Sequence, residues 1–502
     1  MDDAIGTEPF RPQYHFTPRR NWVNDPNGLV YFEGEYHLFY QYNPHGMDWG
    51  HMSWGHAVSA DLVSWRELPV AIPETDQMIF SGSVVVDRDN VSGLGDGKAP
   101  PLLAFFTAFD EPRSIQSQHL AVSHDRGRTF AHYAGNPIID LDLADFRDPK
   151  VFYHAESEAW IMLVALARDH YIQFYRSQNL LDWTLAGSFG PMGSTSGQWE
   201  CPDLIRLSVD EDPANSLWVL KVDVDVGLVD GGSGAQYFVG RFDGHRFTVD
   251  PEIGSPSGGL VDQGPDFYAA VTWSDLPPEQ PSPVWIGWQS NHQSGKAYPT
   301  YPWRGAMSLP RELYLFLEGE ELKLGQRPLK ALASLRGAER RGVRGSLAAA
   351  ASQASFAPEK CFWQDISLGG DADTTGTVSL TDGHETLLTV TIAFGSKEIS
   401  FERHTSQLAP VDFFERKTTT QLPFCDRVDL QILVDGALVE IFVNAGRRVY
   451  SASLFASDGM STGIECLTGT LRVERDDLAL MQRSIDFHAQ EGDVSREHRE
   501  RH

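Results

Sequence analysis

Four cysteines in 502 residues are too few and too scattered for a disulfide framework. Cys201, Cys361, Cys425 and Cys466 make no Cys-x-x-Cys pair, so no metal site is expected. The last three lie in apolar, strand-like surroundings and read as buried thiols. No apolar run reaches the length of a membrane span; the greasiest stretch, Pro101–Phe109, is far too short. Positive charge is scarce: 41 Lys and Arg stand against 69 Asp and Glu, a net charge of −28. Such a surface disfavours nucleic acid or an anionic membrane as partner and suits a neutral substrate. Asp230–Gly234 is glycine-rich but lacks the Gly-Lys-Ser/Thr ending of a phosphate loop, and no cofactor is expected. Met1-Asp2-Asp3 opens neither a basic nor an apolar leader. The expectation is a chain that is secreted if a signal peptide has been removed and otherwise cytoplasmic. Helical periodicity is nearly missing from the first 325 residues or so, which excludes bundle and α/β architectures.

What fills that stretch is a repeat. Leu29–Phe32 and Tyr36–Tyr42, joined at Glu33-Gly34, read as a β-hairpin. The same plan recurs in Val84–Asp87 with Leu102–Thr107, Val151–Tyr153 with Trp160–Ala165, Leu204–Leu207 with Leu217–Asp223, and Phe267–Trp273 with Val284–Gln289. The heads fall near 25, 82, 148, 203 and 266, a period of roughly 60 residues, long for one blade but open to insertions. A second repeat comes late in each unit: Ser59-Ala60-Asp61 before Trp65, Ser123-His124-Asp125 before Phe130, Ser177-Gln178-Asn179 before Trp183, and more loosely Asp243 before Phe247. It marks a turn from a third to a fourth strand. Five such units predict a five-bladed β-propeller over 1–327, whose first strands line a central channel with their heads at one mouth. Leu329, Leu332 and Leu335 predict a part-helical linker over 328–345. Period-two patterning then returns in Thr377–Leu380, Leu387–Ile392, Glu398–Phe401, Val428–Val434, Leu438–Val443 and Leu471–Glu474, with an Asp435-Gly436 hairpin turn, and predicts a β-sandwich over 346–482. The charged residues 483–502 are expected to be disordered.

Three of the unit heads carry acidic signatures: Asn24-Asp25-Pro26-Asn27-Gly28, Arg147-Asp148-Pro149 and Trp199-Glu200-Cys201-Pro202-Asp203. Asp-Pro steps by themselves mark strand starts and turns. Three at matching heads of a propeller instead bring Asp25, Asp148 and Glu200 to one mouth, and paired carboxylates across a C–O bond are the machinery of glycoside hydrolysis.

These motifs resemble glycoside hydrolase family 32, the invertase, inulinase and levanase group. Trp22–Gly28 is similar to its nucleophile motif, and Phe80-Ser81-Gly82-Ser83, Phe146–Pro149 and Trp199–Pro202 match its other signatures in order. The resemblance implies a propeller followed by a sandwich, with Asp25 as nucleophile, Glu200 as acid/base and Asp148 as stabiliser of the positively charged sugar. Arg147 is expected to pair with the acidic cluster and keep Asp25 ionised, while neighbouring carboxylates raise the pKa of Glu200. Asn24, Gln41, Trp49, Phe80, Ser81 and Trp303 are expected to hold fructose, and Asp266 and Tyr268 to line the mouth. Cys201 is expected to support the site from behind. Trp49–His56 and Gly231–Gly240 resemble exo-acting members. The implied activity is a retaining exo-β-fructosidase acting on inulin, levan, their oligomers and sucrose. The alternatives are a dedicated invertase, a fructosyltransferase, and a non-catalytic sugar-binding propeller.

Overall fold

The repeats fold as five four-stranded antiparallel units in the computed structural model, which describes residues 6–210, 212–408, 414–422 and 426–485. Their innermost strands are Asn21–Phe32, Met78–Val86, Phe146–His154, Trp199–Val209 and Tyr268–Thr272, and each pairs with the next strand in sequence. The polar turns of the second repeat sit between third and fourth strands. Asp61 Oδ1 accepts from the amides of Val63 and Ser64, and Asn179 Oδ1 from those of Leu181 and Asp182, so each acidic or amide side chain supplies the turn's missing partners. The architecture is a five-bladed propeller. Apolar residues fill the seams between neighbouring blades, such as Phe39, Trp54, Val84 and Phe106 between the first and second.

All five innermost strands carry the same irregularity. Their pairing slips between Val23 and Pro26, Ile79 and Gly82, Arg147 and Lys150, Glu200 and Asp203, and Tyr268 and Val271. Proline lacks an N–H and is tolerated at a bulge where it would break a regular central strand. Pro26, Pro149 and Pro202 lie at these slips, and Gly82 at the second, where an added Cβ would stand 1.9 Å from the Phe105 carbonyl oxygen. Asp148 and Cys201 take φ of +66° and +47° there, a region L-residues enter only under constraint. The head motifs are the chemical requirements of one bulge, repeated around the ring, that turns side chains into the mouth.

The C-terminal part is a sandwich of two antiparallel sheets. One runs Arg336–Arg341, Thr470–Met481, Cys361–Gly369, Arg427–Asp435, Leu438–Val443, Arg448–Ser453; the other runs Ala351–Ala354, Ser461–Thr468, Thr375–Thr381, Thr386–Ala393, Glu398–Arg403, Arg416–Gln421. Two features differ from the sequence expectation. The linker over 328–345 is shorter: a 3-10 turn, Lys330–Leu335, leads directly into the strand Arg336–Arg341. Leucines three apart fit the three-residue period of that turn, and the following strand is a charged sheet edge with no apolar pattern to reveal it. The tail does not begin at 483, because Arg483 Nε donates to Gln13 Oε1 at 2.6 Å and Ile485 is buried. Residues 486–502 and Cys425 lie outside the described residues.

One apolar core spans both domains: Tyr14, Phe16, Trp273 and Leu332 pack with Trp363, Leu433 and Phe442. A buried polar network crosses the same boundary. Arg311 of the fifth blade reaches Asp262, and on the sandwich it reaches Glu440 and Ser451 Oγ, at 2.9, 2.9 and 2.6 Å. His15 lies between Asp435 and Glu440, at 2.9 and 3.2 Å.

Candidate active site

At the mouth where the bulges converge lies a cavity of about 280 Å³, lined by Asn24, Asp25, Gln41, Trp49, Phe80, Ser81, Arg147, Asp148, Glu200 and Tyr268 among others. Asp25 is held at both oxygens: Oδ1 accepts from Asn24 Nδ2 at 3.1 Å and Oδ2 from Ser81 Oγ at 2.6 Å. Trp22 Nε1 in turn fixes the Asn24 amide. Asp148 accepts the Cys201 amide at 2.8 Å, while its own amide donates to Thr107. Glu200 accepts from Arg147 Nε at 3.0 Å and from the Tyr268 hydroxyl at 2.5 Å. Gln41 is anchored by donating to the Ile79 carbonyl, and Trp49, 43% exposed, meets Phe80 edge-on at the rim.

Behind the carboxylates lie two buried lysines, each paired with an acid of its own. Lys150 Nζ donates to the Thr272 carbonyl at 2.7 Å and pairs with Asp203 at 3.3 Å. Lys221 Nζ donates to the Cys201 carbonyl at 3.1 Å and pairs with Asp223. Cys201 thus supports the site from behind, through its backbone and through its thiol, which donates to Asp25 Oδ2 at 3.7 Å.

Two expected ligands are elsewhere. Asp266 precedes the short fifth innermost strand and turns away from the cavity. It is fully buried and accepts from Arg403 Nη1 at 2.8 Å, the Ser453 amide at 2.6 Å and the Tyr298 hydroxyl at 2.8 Å. Tyr268, inside the bulge, takes the mouth position. Trp303 lies in a two-residue strand parallel to Asn21–Trp22, packed on Ala306 and Leu438, with the Arg11 guanidinium 4.7 Å from its ring centre.

The proton positions also differ from expectation. Arg147 reaches Glu200, Asp145 at 3.2 Å, and the amides of Gln116 and Gln198, and not Asp25. Burial pushes the Glu200 carboxyl up, but the Arg147 and His292 charges and the Tyr268 hydrogen bond outweigh it and hold it below the ordinary value. Burial pushes Asp148 up to about 7, with Glu200 and Asp25 adding to the rise against Arg147. Burial likewise raises Asp25, against the bond from Ser81. Arg147 thus favours the anion of Glu200, while burial favours the protonated forms of Asp148 and Asp25.

Sequence reading missed Gln116, Asp145, Gln198 and His292. His292 Nε2 stands 4.0 Å from Glu200 Oε2, its ring edge-on to Tyr268 and Trp288. Gln198 directly precedes the Trp199 motif and Asp145 stands two residues before Arg147, which is the one signal available for them; Gln116 and His292 carry none.

A consequence for stability follows from Asp148. With a native pKa near 7 against about 4 unfolded, the native state binds more protons between those values, and stability falls as pH rises through that window. Asp148→Asn removes the cost of burying the charge. It is expected to stabilise the fold by up to about 4 kcal/mol at pH 7.5 and by little near pH 4. Thermal midpoints of both proteins at both pH values check this; an equal difference at the two would refute it.

A family model for the glycosyl hydrolases family 32 N-terminal domain matches residues 15–328, and the family's C-terminal model matches residues 331–477. The chain belongs to glycoside hydrolase family 32. Family 32 relatives include the levanase of Bacillus subtilis, 43% identical over 92% of this chain and 69% of that protein. The extracellular exo-inulinase of Aspergillus awamori is 36% identical over 94% of both chains. The crystal structure of exo-inulinase from Aspergillus awamori superposes with a TM-score of 0.87, covering 95% of this chain and 99% of that one. A β-fructofuranosidase from Schwanniomyces occidentalis complexed with fructosyl-erythritol follows at 0.86, with 29% identity, 96% of this chain and 99% of that one. This family 32 chain is therefore a glycoside hydrolase of the β-fructosidase type.

Proposed function

We propose that the protein is a retaining exo-β-fructosidase that removes terminal fructose from inulin, levan, their oligomers and sucrose. The observation that carries this reading is the mouth in which Asp25, Asp148 and Glu200 converge, with Trp49 and Phe80 on its rim. The exo mode is read from the exo-inulinases among its relatives. The levanase and exo-inulinases among its relatives supply the substrate class.

Asp25, its two oxygens steered by Asn24 and Ser81, attacks the anomeric carbon and forms a covalent fructosyl-enzyme; Glu200 protonates the departing oxygen and then activates water. Asp148, Gln41 and Asn24 take fructose hydroxyls, and Trp49 and Phe80 offer flat faces to its C–H surface. Burial favours the protonated form of Asp148, and Arg147 favours the anion of Glu200. Sugar hydroxyls donated to Asp148 stabilise its anion, which favours a proton on Glu200, beside the leaving oxygen.

Early digestion of inulin is expected to release free fructose with no ladder of intermediate oligomers, as read by chromatography of the first few percent of products. A ladder preceding fructose would mean endo cleavage. Oligosaccharides longer than the donor at high sucrose would mean transfer.

A further inference from the structure

The propeller channel has a second end. Asp25, Ser81, Asp148 and Glu200 lie at the heads of the innermost strands, whereas Val86, Tyr153 and Asp275 lie at, or just beyond, the far ends of Met78–Val86, Phe146–His154 and Tyr268–Thr272. These residues border another cavity, of about 350 Å³, larger than the catalytic one. Tyr153 is 52% exposed, and its ring meets that of Trp160 edge-on, centroids 5.3 Å apart. Around the two rings stand the carboxylates of Asp89 and Glu158 and the Gln178 amide, whose Nε2 donates to the Glu158 carbonyl at 3.1 Å. The only cation of the lining, Arg88, is bound by Asp275 at 3.0 Å.

This chemistry selects its ligand. The net negative lining repels anions. Carboxylates and a side-chain amide accept and donate to hydroxyls, and an exposed aromatic face packs on the C–H side of a sugar ring. Of the four carboxylates in the lining, Asp87 accepts from the Val91 and Ser92 amides and Asp275 pairs with Arg88, which leaves Asp89 and Glu158 to accept from sugar hydroxyls.

We propose that this cavity is a second, non-catalytic site for a neutral β-fructan chain, on the face of the propeller opposite the active site. The fructan class rests on the function proposed above. Binding polymer at a second point keeps the enzyme near further chain ends after one fructose has left, by raising their effective concentration. Such a site matters for polymer and not for sucrose.

The test uses native gel electrophoresis through levan, inulin or dextran, in an Asp25→Asn background so that the gel is not digested. Tyr153→Ala is expected to weaken retardation by levan or inulin about threefold to tenfold, the loss of one stacking contact, and Tyr153→Phe to preserve it. In the active enzyme, Tyr153→Ala is expected to raise KM for polymer and leave kcat/KM on sucrose within about twofold. The proposal is overturned by any of three results: retardation unchanged in Tyr153→Ala, retardation by dextran equal to that by levan, or sucrose turnover falling together with binding. Failure of the fructosidase reading would show separately, as a wild-type protein that releases no fructose from sucrose.

Discussion

Asp25→Asn and Glu200→Gln are each expected to lower kcat on sucrose by at least about a thousandfold while the protein stays folded. Asparagine keeps the hydrogen-bonding shape at position 25, where Asn24 and Ser81 already approach the side chain, but an amide does not form the covalent intermediate. Glutamine at 200 keeps contact with Arg147 and Tyr268 but brings no acidic proton to the leaving oxygen. Asp25→Asn removes a charge that burial disfavours and is not expected to lower the thermal midpoint, whereas Glu200→Gln removes the anion that Arg147 stabilises and is expected to lower it modestly. Rates measured beside circular dichroism decide the matter; a folded Asp25→Asn protein with near-normal turnover would remove Asp25 from the mechanism.

Azide separates the two roles. In Glu200→Ala an aryl fructofuranoside, whose leaving group needs no proton, is expected still to form the fructosyl-enzyme, while sucrose turnover collapses. The second step then lacks its base. Truncation leaves a space bordered by the Arg147 guanidinium, which loses the partner it holds at 3.0 Å, and a small anion is drawn there. Azide is expected to restore turnover and give the β-fructosyl azide, since two inversions preserve configuration. In Asp25→Ala azide attacks the substrate directly and gives the α-product. The anomeric configuration of each adduct is read by NMR. A β-azide from the Asp25 variant, or an α-azide from the Glu200 variant, would exchange the two assignments.

The catalytic trio was legible in the sequence because a bulge at the head of a central strand demands unusual residues. Pro26, Gly82, Pro149 and Pro202 announce four of the five bulges. The fifth is built from Ala269 and Ala270, which announce nothing, and so Asp266 was placed at a head that in fact begins at Tyr268. Adjacency in sequence also misled about Arg147. It neighbours Asp148, yet its length carries it across the mouth to Glu200, where its charge helps hold that carboxyl below the ordinary value. His292 comes from a turn that only closure of the ring brings to the rim. In the sandwich, Cys361–Gly369 was not recognised as a strand because it is buried on both faces with Gln364, Asp365 and Ser367 inside, which erases the alternation that exposed its neighbours.

The turn that presents His292 is held by Asn291, whose amide donates to Asp266, and Asp266 is in turn clamped by Arg403 and the Ser453 amide of the sandwich. Part of the catalytic rim is thus owned by a domain that contributes no residue to the cavity. Recombination between relatives at the natural joint near residue 328 would not exchange independent modules. A hybrid of this propeller with another member's sandwich inherits the setting of His292, and the burial of Asp266, from the second parent. Arg403 and Ser453 must travel with the propeller for the leaving-group side of the mouth to remain its own.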